Sequence, residues 1–336
     1  MNSPWRKAMA TPSSNQVTAK AHTNIALVKY WGKKDEDLII PQTGSLSLTL
    51  DHFYTETTVS FSKGLKTDTI KIDNQLVNQK NWQKIHSFLN IVRKKAHINL
   101  PAEVSSFNHV PYAAGLASSA SAFAALAAAS SRAAGLSLNK KQLSQLARRG
   151  SGSACRSIFG GFVEWIAGQD DESSYAMPLK SDLINDIRIV ALTIKTSPKK
   201  FSSRKAMRLS VQTSPYYKSW IQLVKHDLAA VKITLLNNDF STLGHISELN
   251  AMRMHALTMS SDPSILYFNE ATLRIINSVK QLREKGIECY YTIDAGPNVK
   301  IICKEKNVSI ISKYFEKIFD KNRVIVAKPG SGVTYE

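Results

Sequence analysis

The chain is 336 residues long, 43% hydrophobic and 21% charged, so it can bury a sizeable core and is too apolar for wholesale disorder. Its 44 Lys and Arg against 26 Asp and Glu give a net charge of +18, a basic balance compatible with nucleic acid or with a polyanionic small molecule. That charge is dispersed, and its densest cluster, Lys199, Lys200, Arg204, Lys205 and Arg208, encloses one aromatic, Phe201, which argues against a base-stacking surface.

Residues 1–16, rich in Ser, Pro and Asn and without an apolar run, read as a flexible extension and not as a secretory signal. An apolar strand then closes on Lys29, Tyr30 and a Gly32 turn that carries Lys33. Residues 45–51 alternate Ser or Thr with Leu, the period of a half-buried strand, and 57–61 and 69–72 look like its neighbours. Apolar side chains at Trp82, Ile85, Phe88, Leu89 and Val92 predict a helix over 82–96, followed by a loop at Pro101. The uncharged stretch 110–131 is built from Ala, Ser and Gly and lacks the bulk of a membrane span, so it reads as a buried helix. Helices over 119–134 and 139–149 stop at Gly135 and Gly150. A strand follows at 189–194, and the chain then turns more helical, at 219–236 and 264–285. Strands at 289–293, 299–303 and 324–327, with a helix at 308–321, complete the pattern. Mixed elements without a repeat indicate an α+β fold, with a soft boundary near 185–197 between lobes 17–190 and 191–336.

Four loops carry chemistry. In Pro111-Tyr-Ala-Ala-Gly115-Leu116-Ala117-Ser118-Ser119, a glycine turn opens straight into a helix, whose first N–H groups and dipole favour a phosphate. Ser118 and Ser119 can add hydroxyls or reach a phosphate-bound magnesium ion, yet the same residues suit an ordinary capped core helix. Ser151-Gly-Ser153-Ala-Cys-Arg156 presents a planar guanidinium beside hydroxyls, a grip for phosphate or carboxylate or else a surface connection. Lys29, Tyr30 and Lys33 end a strand and can either aim into a cleft or lie solvated. Asp294, between a strand and Gly296-Pro297, is a turn residue or a carboxylate that orients a hydroxyl beside a nucleotide phosphate. The three cysteines, Cys155, Cys289 and Cys303, lack C-x-x-C spacing and read as reduced thiols, and none of the eight histidines has metal-motif spacing.

Taken in order, Asn24-Ile-Ala-Leu-Val-Lys-Tyr-Trp-Gly-Lys, Pro-Tyr-Ala-Ala-Gly-Leu-Ala-Ser-Ser-Ala-Ser, Gly-Ser-Gly-Ser-Ala-Cys-Arg-Ser, Ser202-Ser203-Arg204 and Ile-Asp294-Ala-Gly-Pro-Asn resemble the diphosphomevalonate decarboxylase family of the GHMP kinase superfamily. The resemblance runs from Ala21 to about Thr334, with Tyr112 and Lys205-Ala206 departing from the family pattern. It implies a GHMP-kinase-like two-lobed fold with a deep cleft, ATP with magnesium on one wall and mevalonate diphosphate on the other. By the same resemblance Asp294, Lys29 and Arg156 would be catalytic, and Tyr30, Lys33, Ser151, Ser153, Arg156, Ser203 and Met207 would bind substrate. Ser106, Asn108, Gly115, Leu116, Ala117, Ser118, Ser119 and Lys199 would contact the nucleotide. The family also implies a cytoplasmic homodimer that binds no nucleic acid or membrane. The nearest alternative is a kinase of the same superfamily that phosphorylates mevalonate or its phosphate and stops there.

Overall fold

The computed structural model describes residues 16–109, 118–194 and 201–336. Its first sheet is built around one long strand, Ser45–Phe61, where the alternation suggested two, 45–51 and 57–61. The stretch between them stays in the ladder because Val17–Val28 pairs along one edge and Ala102–His109 along the other, antiparallel in both cases. Thr69–Ile72 joins Ala102–His109 in parallel, Phe162–Ile166 pairs with the start of the long strand, and Tyr175–Leu179 extends that wing.

Three helices back this sheet. Ser118–Ala133 is almost all Ala and Ser, so its backbone can approach the strands closely, and Ala124 to Ala129 lie in the core with Phe123 and Leu126. Its buried hydroxyls find partners within the helix and across to the sheet: Ser130 donates to the Leu126 carbonyl at 2.5 Å, and the Ser121 and Thr55 hydroxyls meet at 2.8 Å. Lys140–Gly150 starts with a reciprocal Asn139 and Gln142 capping box, and Gln79–Ala96 with an Asn78 cap that accepts from the Asn81 N–H.

The second sheet orders Cys289–Ile293, Val299–Lys304, Ile187–Leu192 and Val324–Ala327, all antiparallel. Helices Glu270–Glu284 and Glu305–Glu316 cover one face; both are shorter than or offset from the sequence expectations of 264–285 and 308–321. The Asn269 capping box with Thr272 sets the first of these starts.

Helices Tyr217–Leu236 and Phe240–Met259 join the two sheets, because one core cluster contains Leu46, Leu48 and Phe53 from the first sheet and Ile187 and Ile189 from the second. Trp220, Val224, Leu243 and Met254 fill the space between. Sequence periodicity missed Phe240–Met259 since its buried face includes Ser247, Asn250 and His255 and so shows no apolar stripe. The C-terminal segment then returns to the first sheet. Gly330 donates to Thr49 at 2.8 Å and accepts from Gly161 at 3.1 Å, and Thr334–Tyr335 pairs with the Val17–Val28 edge.

Candidate active site

Strand Val17–Val28 delivers Lys29 into the interior, where only 2% of its side chain is exposed. Its ammonium donates to the Ala26 carbonyl at 2.9 Å and to Asp294 Oδ1 at 2.7 Å. Asp294 follows strand Cys289–Ile293, and Thr292 in that strand reaches the same Ala26 carbonyl at 3.2 Å, tying the two strand ends together. A second ammonium, Lys300 of strand Val299–Lys304, donates to Asp294 Oδ2 at 3.1 Å. The carboxylate is thus gripped on both oxygens, yet 24% of it stays open to solvent.

Electrostatics follow from that packing. Burial drives the Lys29 ammonium down to about 8, helped by the charges of Lys300 and Arg156 and opposed by Asp294. Burial alone would raise the Asp294 carboxyl, but Lys29 and Lys300 together outweigh it and hold the group well below the usual carboxylate range. Asp294 is therefore an anion at any working pH.

Arg156 lies in the 3-10 segment Gly152–Ile158, 2% exposed and within the electrostatic reach of Asp294 and Tyr30. Its Nη1 donates to Ser45 Oγ at 2.6 Å, while Nε and Nη2 both donate to Asn24 Oδ1, at 3.3 and 3.1 Å. Asn24 in turn donates to Ser157 Oγ at 2.8 Å and to the Ser153 carbonyl at 3.1 Å, so strand and turn are locked around the guanidinium. Gly152 makes the turn possible: a Cβ there would sit 2.8 Å from Trp165 and 3.0 Å from the Tyr30 ring. Tyr30 packs on Trp165 with ring centroids 4.7 Å apart, and its buried hydroxyl finds no partner among the described residues. Burial pushes that phenol well up, so it remains a neutral donor.

Beyond Tyr30, Gly32 turns the chain at φ +105°, where a Cβ would collide with the Tyr217 hydroxyl, and Lys33 follows, paired with Glu36. Sequence reasoning missed two cations here. Lys84 of helix Gln79–Ala96 lies 4.3 Å above the Phe123 ring, and although its side chain reaches the surface, the surrounding protein lowers its ammonium to about 8, followed by the charges of Arg204 and Lys33. Lys84, Arg204 and Lys33 thus lie within electrostatic reach of one another, a positive field that attracts a polyanion. Lys300 was missed as well; an isolated Lys inside the apolar strand Val299–Lys304 was the available signal.

Other expected residues fall nearby. Ser151 Oγ donates to Ser119 Oγ at 3.2 Å, joining the arginine turn to the start of the alanine-rich helix. Ser106 Oγ shares a 2.9 Å bond with Thr57, and Asn108 is held by Asp73 and Thr55, so both are engaged within the sheet. Ser203 opens helix Ser203–Thr213 in an exposed position, capped by Ser202, and Met207 packs against the shared core. Gly115, Leu116, Ala117 and Lys199, along with Tyr112, lie outside the described residues, and Ser118 is described only as a helical position.

Family models match both parts of the chain, a diphosphomevalonate decarboxylase-like N-terminal domain over residues 21–176 and a mevalonate 5-diphosphate decarboxylase C-terminal domain over residues 189–330. A diphosphomevalonate decarboxylase from Debaryomyces hansenii is 33% identical over 324 residues, 90% of this chain and 84% of the relative. Among solved structures, mevalonate diphosphate decarboxylase from Staphylococcus aureus is 45% identical with a TM-score of 0.93, covering 96% of this chain and 98% of that one. A structure described as MDDEF in complex with MVAPP, AMPPCP and magnesium matches equally, at 45% identity and a TM-score of 0.93, over 96% and 99% of the two chains. With both halves matched and the ion-paired Asp294 within electrostatic reach of the buried Arg156, the chain belongs to the diphosphomevalonate decarboxylase family.

Proposed function

We propose that the protein converts mevalonate diphosphate and ATP into isopentenyl diphosphate, ADP, phosphate and carbon dioxide, with magnesium, in isoprenoid biosynthesis. The carrying observation is the Asp294 carboxylate fixed between Lys29 at 2.7 Å and Lys300 at 3.1 Å while one side stays open. A carboxylate so stabilised is a weak base, which suits it to orient the tertiary hydroxyl of the substrate and to take its proton only as the new P–O bond forms. Transfer of the γ-phosphoryl group releases ADP and turns the hydroxyl into a leaving group. As the C–O bond to phosphate then breaks, the C–C bond to the carboxylate breaks too, its electron pair forming the alkene as carbon dioxide leaves. Positive charge from Lys29 and Arg156 near these groups stabilises the phosphate that departs.

Tyr30, Lys33, Ser151, Ser153 and Arg156 would hold the diphosphate tail, with Ser203 and Met207 completing the wall; Lys84 and Arg204 supply further positive charge there. Ser106, Asn108, Ser119 and the segment through Gly115 to Ser118, with Lys199, would receive ATP. Among the described residues no group of three His, Cys, Asp or Glu side chains gathers, so magnesium would be held through nucleotide phosphate oxygens with hydroxyl help, a hard-oxygen set that suits it. When bound, the ion offsets the charge of the phosphates.

The same reading takes residues 17–190 and 191–336 as two lobes and the working form as a cytoplasmic homodimer. The three buried, unpaired thiols support a reducing compartment. No helix among the described residues is long and apolar enough to cross a membrane. Purified protein given mevalonate diphosphate, ATP and magnesium should release ADP, phosphate and carbon dioxide in equal amounts. ADP without carbon dioxide would identify a kinase instead.

A further inference from the structure

Lys29 and Asp294 belong to different sheets, and their ion pair alone does not fix how the two strand ends lie. Both ends rest on one helix, Phe240–Met259. Lys29 stands just beyond strand Val17–Val28, where its N–H has left the ladder, and Asn250 Oδ1 accepts that N–H at 2.8 Å. Asn250 is wholly buried, and its Nδ2 donates to Asp227 Oδ2 at 2.8 Å. Asp227, 4% exposed on helix Tyr217–Leu236, also accepts from Arg253 Nη1 at 2.9 and 3.0 Å, so the amide can point only one way.

On the same helix, His255 is 1% exposed and flanked by Phe268 and Tyr267, with ring centroids 4.4 and 5.9 Å away. The imidazole stands against the backbone of Ile293, the residue immediately before Asp294, and its Nε2 has no partner among the described residues. Burial, then the nearby Lys29 charge, lowers it to about 3, so it is a neutral ring with one N–H to give. These polar residues occupy positions where an ordinary core helix would carry aliphatic side chains, and while Asn250 bonds the main chain of Lys29, His255 packs against that of the residue before Asp294.

We propose that Asn250 and His255 are positioning residues for the reaction proposed above: their helix holds the main chain of Lys29 and of Ile293 and thereby fixes the ammonium against the carboxylate. Misplacing a reacting pair by about 1 Å is enough to lose on the order of 100-fold in rate. Asp227 keeps the Asn250 amide in its productive orientation. Charged or titratable groups facing the Lys29 ammonium are Asp294, Lys300, Arg156 and His255, and of these only Asp294 raises its pKa. Loosening Lys29 from Asp294 therefore lowers the pH above which the enzyme loses activity.

The test uses the full chain and four variants, Asn250→Leu, Asn250→Asp, the exchange Asn250→Asp with Asp227→Asn, and His255→Phe. Asn250→Leu and Asn250→Asp should lose about 30- to 100-fold in kcat, and His255→Phe about 10-fold, with KM for mevalonate diphosphate and ATP within about threefold. In Asn250→Leu and His255→Phe the alkaline limb of kcat/KM should move to lower pH, whereas the carboxylate introduced by Asn250→Asp favours the ammonium and keeps the limb from falling. The exchange keeps one amide and one carboxylate in contact and should recover kcat to within about fivefold, with the limb no lower than in wild type because the carboxylate now lies nearer Lys29. Circular dichroism at the assay temperature corrects every rate for the folded fraction. Corrected kcat values within threefold of wild type, an unmoved limb in Asn250→Leu, or an exchange that folds without recovering turnover would overturn the positioning role. A wild-type chain that releases no carbon dioxide would instead sink the underlying reaction.

Discussion

Replacing Asp294 by Asn keeps the shape of the side chain and removes the one negative charge between two buried ammonium groups. At separations of 2.7 and 3.1 Å, each pair is worth at most about 5–6 kcal/mol with an effective dielectric of about 20, and solvent at the 24%-exposed carboxylate reduces this. Without it, Lys29 and Lys300 repel each other at exposures of 2% and 1%. The folded variant relieves this by releasing the Lys29 proton, which already titrates near 8 and now does so lower still, at about 1.4 kcal/mol per pH unit. A stability loss of about 2–3 kcal/mol near pH 7 is expected, at the low end for an opened buried pair because the acid is partly exposed. The sign of its pH dependence follows. Unfolded Lys29 keeps its proton to above pH 10, so between the lowered folded pKa and about 8 the variant gains stability with rising pH while the wild type does not. The gap should narrow up to pH 8 and then stay constant. Turnover should fall by about 10³- to 10⁴-fold, some 4–5.5 kcal/mol of barrier. Carbon dioxide release and thermal melts at pH 6.5, 7.5 and 8.5 provide the assay. A rate within tenfold of wild type, or a stability gap indifferent to pH, would refute the account of this site.

Two more outcomes are expected. With Lys29 near 8 in the free protein and its protonated form required, kcat/KM should decline about tenfold per pH unit above 8, whereas kcat should hold to higher pH because bound phosphates favour the ammonium; a flat profile to pH 9.5 would remove Lys29 from the chemistry. Arg156→Lys retains the charge but cannot reproduce the guanidinium bonds to Ser45 and Asn24, so KM for mevalonate diphosphate should rise about 10- to 100-fold; an unchanged KM would deny it the diphosphate.

Local chemistry made several elements legible. Strands Thr69–Ile72, Cys289–Ile293 and Val324–Ala327 lie at the expected positions, because each is a short run rich in apolar and β-branched residues. The long strand Ser45–Phe61 was read as two, since its continuity depends on partners supplied from either side by distant segments. Helix Phe240–Met259 was invisible for a different reason: buried polar residues interrupt the apolar stripe, and the partners that justify them lie in other elements.

The site divides in the same way. Loops with Gly, Ser, Arg and Asp in a characteristic order marked the family and named Lys29, Arg156 and Asp294, because turn geometry and phosphate recognition impose residue types over short stretches. Lys300, Lys84, Asn250 and His255 have no such local signature. Lys29 and Asp294 are 265 positions apart, and only the packing of two sheets on one helix brings them to 2.7 Å. Sequence alone determined which groups are present and which turns can carry them. Tertiary structure decided which charges meet, how far each is desolvated and therefore which state each holds, since Coulomb and solvation energies depend on distances that a linear pattern does not contain.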